Sequence, residues 1–95
     1  MNNLGLNDIL NSLREPTEER RKLITEAFNF AVKAHTGQKR RSGEDYVQHP
    51  IAVAKILAEI GMRSKTISAA LLHDIPEDTQ TTLKEIEEKF GKEIA

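Results

Sequence analysis

An all-helical bundle is the fold this sequence predicts, and three observations lead there. Apolar residues recur at three-to-four spacing in successive segments, whereas no stretch alternates with the period of a strand. Aromatic residues make up only 4% of the 95-residue chain, so Ile, Leu, Val and Ala must fill the core. Glycine and proline punctuate the periodic segments, at Pro16, Gly37, Pro50, Gly61, Pro76 and Gly91. The length suits one small domain with a single core.

Taken in order, Asn7 is placed to cap a short helix whose apolar face is Leu6, Ile9, Leu10 and Leu13. Pro16 ends it and stands near the start of a second helix. There Ile24, Ala27, Phe28, Ala31 and His35 share one face, with Glu18 and Glu19 in the first turn where the dipole favours acids. Gly37 suits the stop. A polar, basic stretch from Gly37 to Gln48 fits neither period and reads as a loop. Pro50 suits the first position of a third helix with Ile51, Ala54, Leu57 and Ala58 inward, closing at Gly61. Ser64 is expected to cap a fourth, with Ile67, Ala70 and Leu71 buried, running to near Pro76. Thr82 and Glu85 have capping-box spacing for a fifth, with Leu83, Ile86 and Phe90 inward and Gly91 at its end. Lys92 to Ala95 reads as the opening of a further element.

Composition removes whole classes of function. There is no cysteine, so disulfide scaffolds, Cys-ligated zinc and thiol catalysis are excluded. Fourteen Lys and Arg against fifteen Asp and Glu give a net charge of −1, which argues against nucleic-acid and membrane partners. With no signal peptide or apolar run of membrane length, a cytoplasmic location is expected.

The residues that point to chemistry are His73 and Asp74, followed by Glu77 and Asp78. An adjacent imidazole and carboxylate at a helix end can share a metal, and His49 before Pro50 offers a third ligand. Such a donor set suits Mn, Fe, Co or Zn and would make hydroxide available near neutral pH. Glu77, one turn beyond His73, is placed to take the proton from water. The same residues have plainer readings: His49 as a helix-entry residue bonded to backbone, Glu77 and Asp78 as solvated acids or caps. In the loop, Lys39, Arg40, Arg41, Ser42 and Gly43 suit phosphate recognition or base stacking, or a solvated surface run. Tyr46 and His35 are read as packing residues.

Two long stretches carry a family resemblance. Ala34-His35-Thr36-Gly37-Gln38-Lys39-Arg40-Arg41-Ser42-Gly43-Glu44 with Tyr46-Val47-Gln48-His49-Pro50 resembles the opening of the HD hydrolase domain of RelA/SpoT-type enzymes. Ala69-Ala70-Leu71-Leu72-His73-Asp74 with Glu77-Asp78-Thr79 resembles that domain's metal-binding helix and the loop after it. Phe90-Gly91 also fits, and the likeness runs from about Ile24 to the end.

The resemblance implies an all-α, HD-domain-like bundle of about five helices. It also implies manganese-dependent hydrolysis of the 3′-diphosphate of (p)ppGpp to GDP or GTP and pyrophosphate, the chemistry of the stringent response. It casts His49, His73 and Asp74 as three of four metal ligands and Glu77 and Asp78 as the acidic pair that activates water. Arg40 would pack on guanine, with Arg41 and Ser42 lining the nucleotide pocket.

Two departures stand out. The family's fourth ligand, an aspartate further downstream, has no counterpart here, and Asp45 replaces a usual proline. The expectation is therefore the N-terminal half of one HD domain, with residues 1–16 as a helical arm and 17–95 as its core segment. As a 95-residue chain it should be nearly inactive. It should also self-associate through uncovered Leu71, Ile86 and Phe90. The competing readings are a non-catalytic regulatory or assembly module and an HD phosphohydrolase of another nucleotide.

Overall fold

The computed structural model describes residues 4–37, 47–79, 81–91 and 94, and within these all side chains except those of Glu77 and Asp78. Six helical segments follow one another: α1 (Leu6–Leu10), α2 (Glu18–Ala34), α3 (Gln48–Glu59), α4 (Ser64–Leu72), α5 (Ile75–Asp78) and α6 (Leu83–Phe90). No strand occurs among the described residues. The all-α expectation holds, with one helical turn more than the pattern suggested.

The boundaries show which local chemistry wins. Gly5 rather than Asn7 precedes α1, and its N–H donates to Asp8 Oδ2 at 2.6 Å. The carboxylate thus satisfies an amide that the helix leaves without a partner. Thr17 caps α2, its hydroxyl accepting from the Arg20 N–H at 3.2 Å, while Gly37 at φ 83° takes the chain out of the helical line. α3 starts two residues before Pro50, so the proline lies inside the first turn, where no intrahelical N–H is required of it. Arg63, with extended backbone and no side-chain cap, precedes α4, leaving Ser64 as its first helical residue. The fourth helix stops at Leu72 instead of continuing to Pro76, and a separate turn, α5, takes Pro76 near its start. Thr82 caps α6 as expected, accepting from the Glu85 N–H at 3.2 Å.

α4 is the central helix, packed on α2 and α3, while α1 lies across α2 and α3. The core joins Ile9 of α1, Ile24, Ala27 and Ala31 of α2, Ile51, Ala54 and Ala58 of α3, and Ile67, Leu71 and Leu72 of α4. Ile75, Ile86 and Ile94 complete it. Alanines on the inner faces of α2 and α3 allow neighbouring helices to come close, and each isoleucine taken out of water contributes roughly 1.5–3 kcal/mol. α6 is drawn in by Ile86 and by Phe90, whose ring meets Phe30 edge-on at 5.5 Å and 88°. Lys89 Nζ lies 5.4 Å from the Phe30 ring centre.

The expected association face is not found. Leu71 and Ile86 are buried in the core of the chain, and Phe90 is half-buried, packed against that core with its ring on Phe30. The large apolar side chains that do meet solvent are others, chiefly Ile56 at 58% and Ile60 at 55% exposure on α3. The bundle measures 35 × 34 × 17 Å.

Candidate active site

The His73–Asp74 pair sits in the two-residue break between α4 and α5. Leu72 before it and Ile75 after it are both buried, so the backbone of the break is anchored from each side. The side chains differ sharply: His73 is 78% exposed and Asp74 only 23%, with Nε2 and Oδ1 3.7 Å apart. That separation exceeds a hydrogen bond but lets both atoms approach one ligand. α5 then carries Glu77 and Asp78, whose side chains fall outside the description. The turn closes at Thr79, whose hydroxyl and N–H both donate to the Ile75 carbonyl, at 2.7 and 2.9 Å. The Thr81 N–H donates in turn to Thr79 Oγ1 at 3.1 Å.

His49 is the second residue of α3 and is exposed. Only residues 60–63 separate α3 from α4, and the two helices pack together as a helical hairpin. The start of α3 and the end of α4 therefore lie at one end of the molecule, which carries His49, His73 and Asp74. Gln48 beside His49 is fixed by a reciprocal pair of bonds with Leu4. Its Oε1 accepts from the Leu4 N–H at 2.8 Å, and its Nε2 donates to the Leu4 carbonyl at 3.1 Å.

Two imidazoles and a carboxylate are a donor set that fits a divalent transition metal. Even so, among the described residues no group of three or more His, Asp or Glu gathers closely enough to hold one. His73 and Asp74 are brought together; His49 shares their end of the bundle but does not close on them. Arg40, Arg41 and Ser42 lie outside the described residues, as do Lys39, Gly43 and Tyr46. His35 is buried on α2, in keeping with a packing role. Sequence reasoning missed Gln48, for which no local signal exists, and Ile75, an apolar residue directly after the pair that could have marked the anchor. None of the described helices is long and apolar enough to cross a membrane.

Comparison with known proteins adds to this geometry. The chain is 54% identical over 72 residues to the guanosine-3′,5′-bis(diphosphate) 3′-pyrophosphohydrolase of Aquifex aeolicus (strain VF5), covering 76% of this chain and 10% of that protein. It is 49% identical over 78 residues to the bifunctional (p)ppGpp synthase/hydrolase SpoT of Escherichia coli (strain K12), covering 82% and 11% respectively. A probable GTP pyrophosphokinase of Mycobacterium leprae (strain TN) is 51% identical over 72 residues, covering 76% and 9%. The chain thus spans about a tenth of the length of the curated relatives it matches. A family model described as the HD domain matches residues 27–95, and the chain belongs to the HD domain family.

Proposed function

We propose that these residues form the first part of the site of a (p)ppGpp 3′-pyrophosphohydrolase. The observation that carries the reading is the His73–Asp74 pair, held between buried Leu72 and Ile75 at the end of the bundle shared with His49. The likeness to a relative named for this reaction supports it.

His49, His73 and Asp74 would hold a divalent cation, which we take to be Mn²⁺. When bound it supplies positive charge against the phosphoryl oxygens and lowers the pKa of nearby water. The protein's own part is to fix geometry and move a proton. Glu77 and Asp78 orient the water and take its proton as it attacks the phosphorus attached to the ribose 3′ oxygen. The bond from that oxygen to phosphorus breaks, the 3′ oxygen takes up a proton to become the hydroxyl of GDP or GTP, and pyrophosphate leaves. Arg40 stacks on the guanine, while Arg41 and Ser42 hold the nucleotide.

A second reading draws on the relative named as a probable GTP pyrophosphokinase, which shares this segment at 51% identity. Under it the segment is a non-catalytic module that regulates or assembles a larger protein. Pyrophosphate release from ppGpp by the natural gene product containing these residues, with Mn²⁺, separates the two. Turnover abolished by a chelator and by Asp74→Ala supports the hydrolase. Absence of turnover in a folded, Mn²⁺-loaded protein rejects it in favour of the module.

A further inference from the structure

The opposite end of the α3–α4 hairpin holds an open cavity of about 450 Å³, between the α1–α2 connection and the first turn of α4. That volume lies in the range of small-molecule sites. Four cationic side chains line it, Arg14, Arg20, Arg63 and Lys65, against one carboxylate, Glu15. The chain as a whole carries a net charge of −1, so this concentration of positive charge is local and not a property of the composition.

Two of the guanidinium groups are fixed by the fold. Arg14 Nε donates to the Glu59 carbonyl at the end of α3, at 3.0 Å, which uses one of its five N–H groups. Gly61 makes room for it: φ is +84°, and a Cβ there would come within 3.1 Å of Arg14 Cδ. Arg20 Nη1 donates to the Glu15 carbonyl at 2.7 Å. The Glu15 carboxylate is 3.5 Å from the same nitrogen and stays largely in solvent, so it neutralises little of the cluster. At the cavity's edge α4 begins at Ser64 with no side-chain cap from Arg63, and its first-turn N–H groups add partial positive charge to the same wall. Leu13 and Met62 supply apolar lining.

We propose that this cavity binds a small phosphate-bearing anion, at the end of the hairpin remote from His73 and Asp74. Guanidinium groups held in place before binding lose little freedom on meeting a phosphate, and their forks match its oxygens in pairs. The concave shape and the presence of apolar lining suit a compact soluble ligand.

The test is a titration of the ¹⁵N-labelled 95-residue chain with tripolyphosphate in EDTA, so that no divalent metal can recruit the anion to the other end. Saturable amide shifts centred on Gly61, Arg63, Ser64 and Lys65 are expected. The double variant Arg63→Gln, Lys65→Gln should weaken binding at least tenfold, with its helical circular dichroism unchanged because both residues are exposed. Lys84→Gln on α6, which removes one charge elsewhere, should leave affinity within twofold. Shifts centred on His49, His73 and Asp74, or spread evenly over the basic residues, overturn the proposal. So does equal weakening by Lys84→Gln.

Discussion

The two ends of the α3–α4 hairpin are held in place by different forces. At one end buried Leu72 and Ile75 clamp the backbone, and His73 extends into solvent. At the other the backbone turns through Gly61, and polar side chains hold it, with Arg14 bonded across to Glu59. Apolar anchoring fixes where a side chain starts but leaves its tip able to rearrange around a ligand. Bonds from guanidinium to carbonyl fix the tip itself. The first end is therefore suited to assembling a site when a metal arrives, and the second to offering a charge pattern already formed.

The comparison gives predictions of decreasing size. On the proposed hydrolase reading, Asp74→Ala should lower ppGpp turnover in the natural gene product more than roughly a hundredfold, since loss of a mere supporting partner of a metal ligand already costs 10–100-fold. Its thermal midpoint should change little, and a large fall in stability would show that the pair is structural. Leu71→Ala, in the shared core between the ends, should cost roughly 2–5 kcal/mol in urea unfolding by leaving a cavity. Gly61→Ala should cost about 1 kcal/mol or more, because alanine must take φ +84° and displace Arg14. A neutral result would mean that the second end is not held as described. Thr82→Ala removes the cap of α6 and should cost about 1 kcal/mol, read from the same unfolding curves.

The smallest effect belongs to Lys55, partly exposed on α3 with Nζ 2.6 Å from Glu59 Oε1. Glu59 raises its pKa above the ordinary lysine value, first by the hydrogen bond and then by charge. Any stabilisation is therefore present below the ordinary lysine pKa of about 10.4 and fades as pH rises through the raised value. Lys55→Gln should leave the melting temperature nearly unchanged at pH 7 and unchanged once the pH exceeds the raised value. A clear loss at pH 7 would show that the C-terminal turn of α3 depends on this pair.

The contrast between the ends also explains what could be read from the sequence. Ile24, Ala27, Ala31 and Ile67 are buried as their spacing requires, since a helix face is a local property of a few turns. His73 and Asp74 were legible for the same reason, being neighbours in the chain. Cap positions were less so. Asn7 and Ser64 suit a cap by residue type, but Asp8 bonded to Gly5 and the extended Arg63 decide where α1 and α4 begin. The breadth of the core was misjudged at Leu71 and Ile86, because their burial depends on how helices meet and not on any one of them. The basic cavity was invisible: Arg14 and Glu59 are 45 positions apart, and only the folded chain puts them in contact.

Gln48 has a consequence of its own. A primary amide both gives and receives, and both capacities are used by the main chain of Leu4, in the manner of two paired strands. Deamidation of this one group would keep its shape and remove its donor. A carboxylate at position 48 would still accept from the Leu4 N–H but would face the Leu4 carbonyl with a second oxygen. Ageing of the protein at a single exchangeable nitrogen would thereby weaken the tie between Leu4 and the position next to His49, leaving Leu4 to be held by its packing on the core.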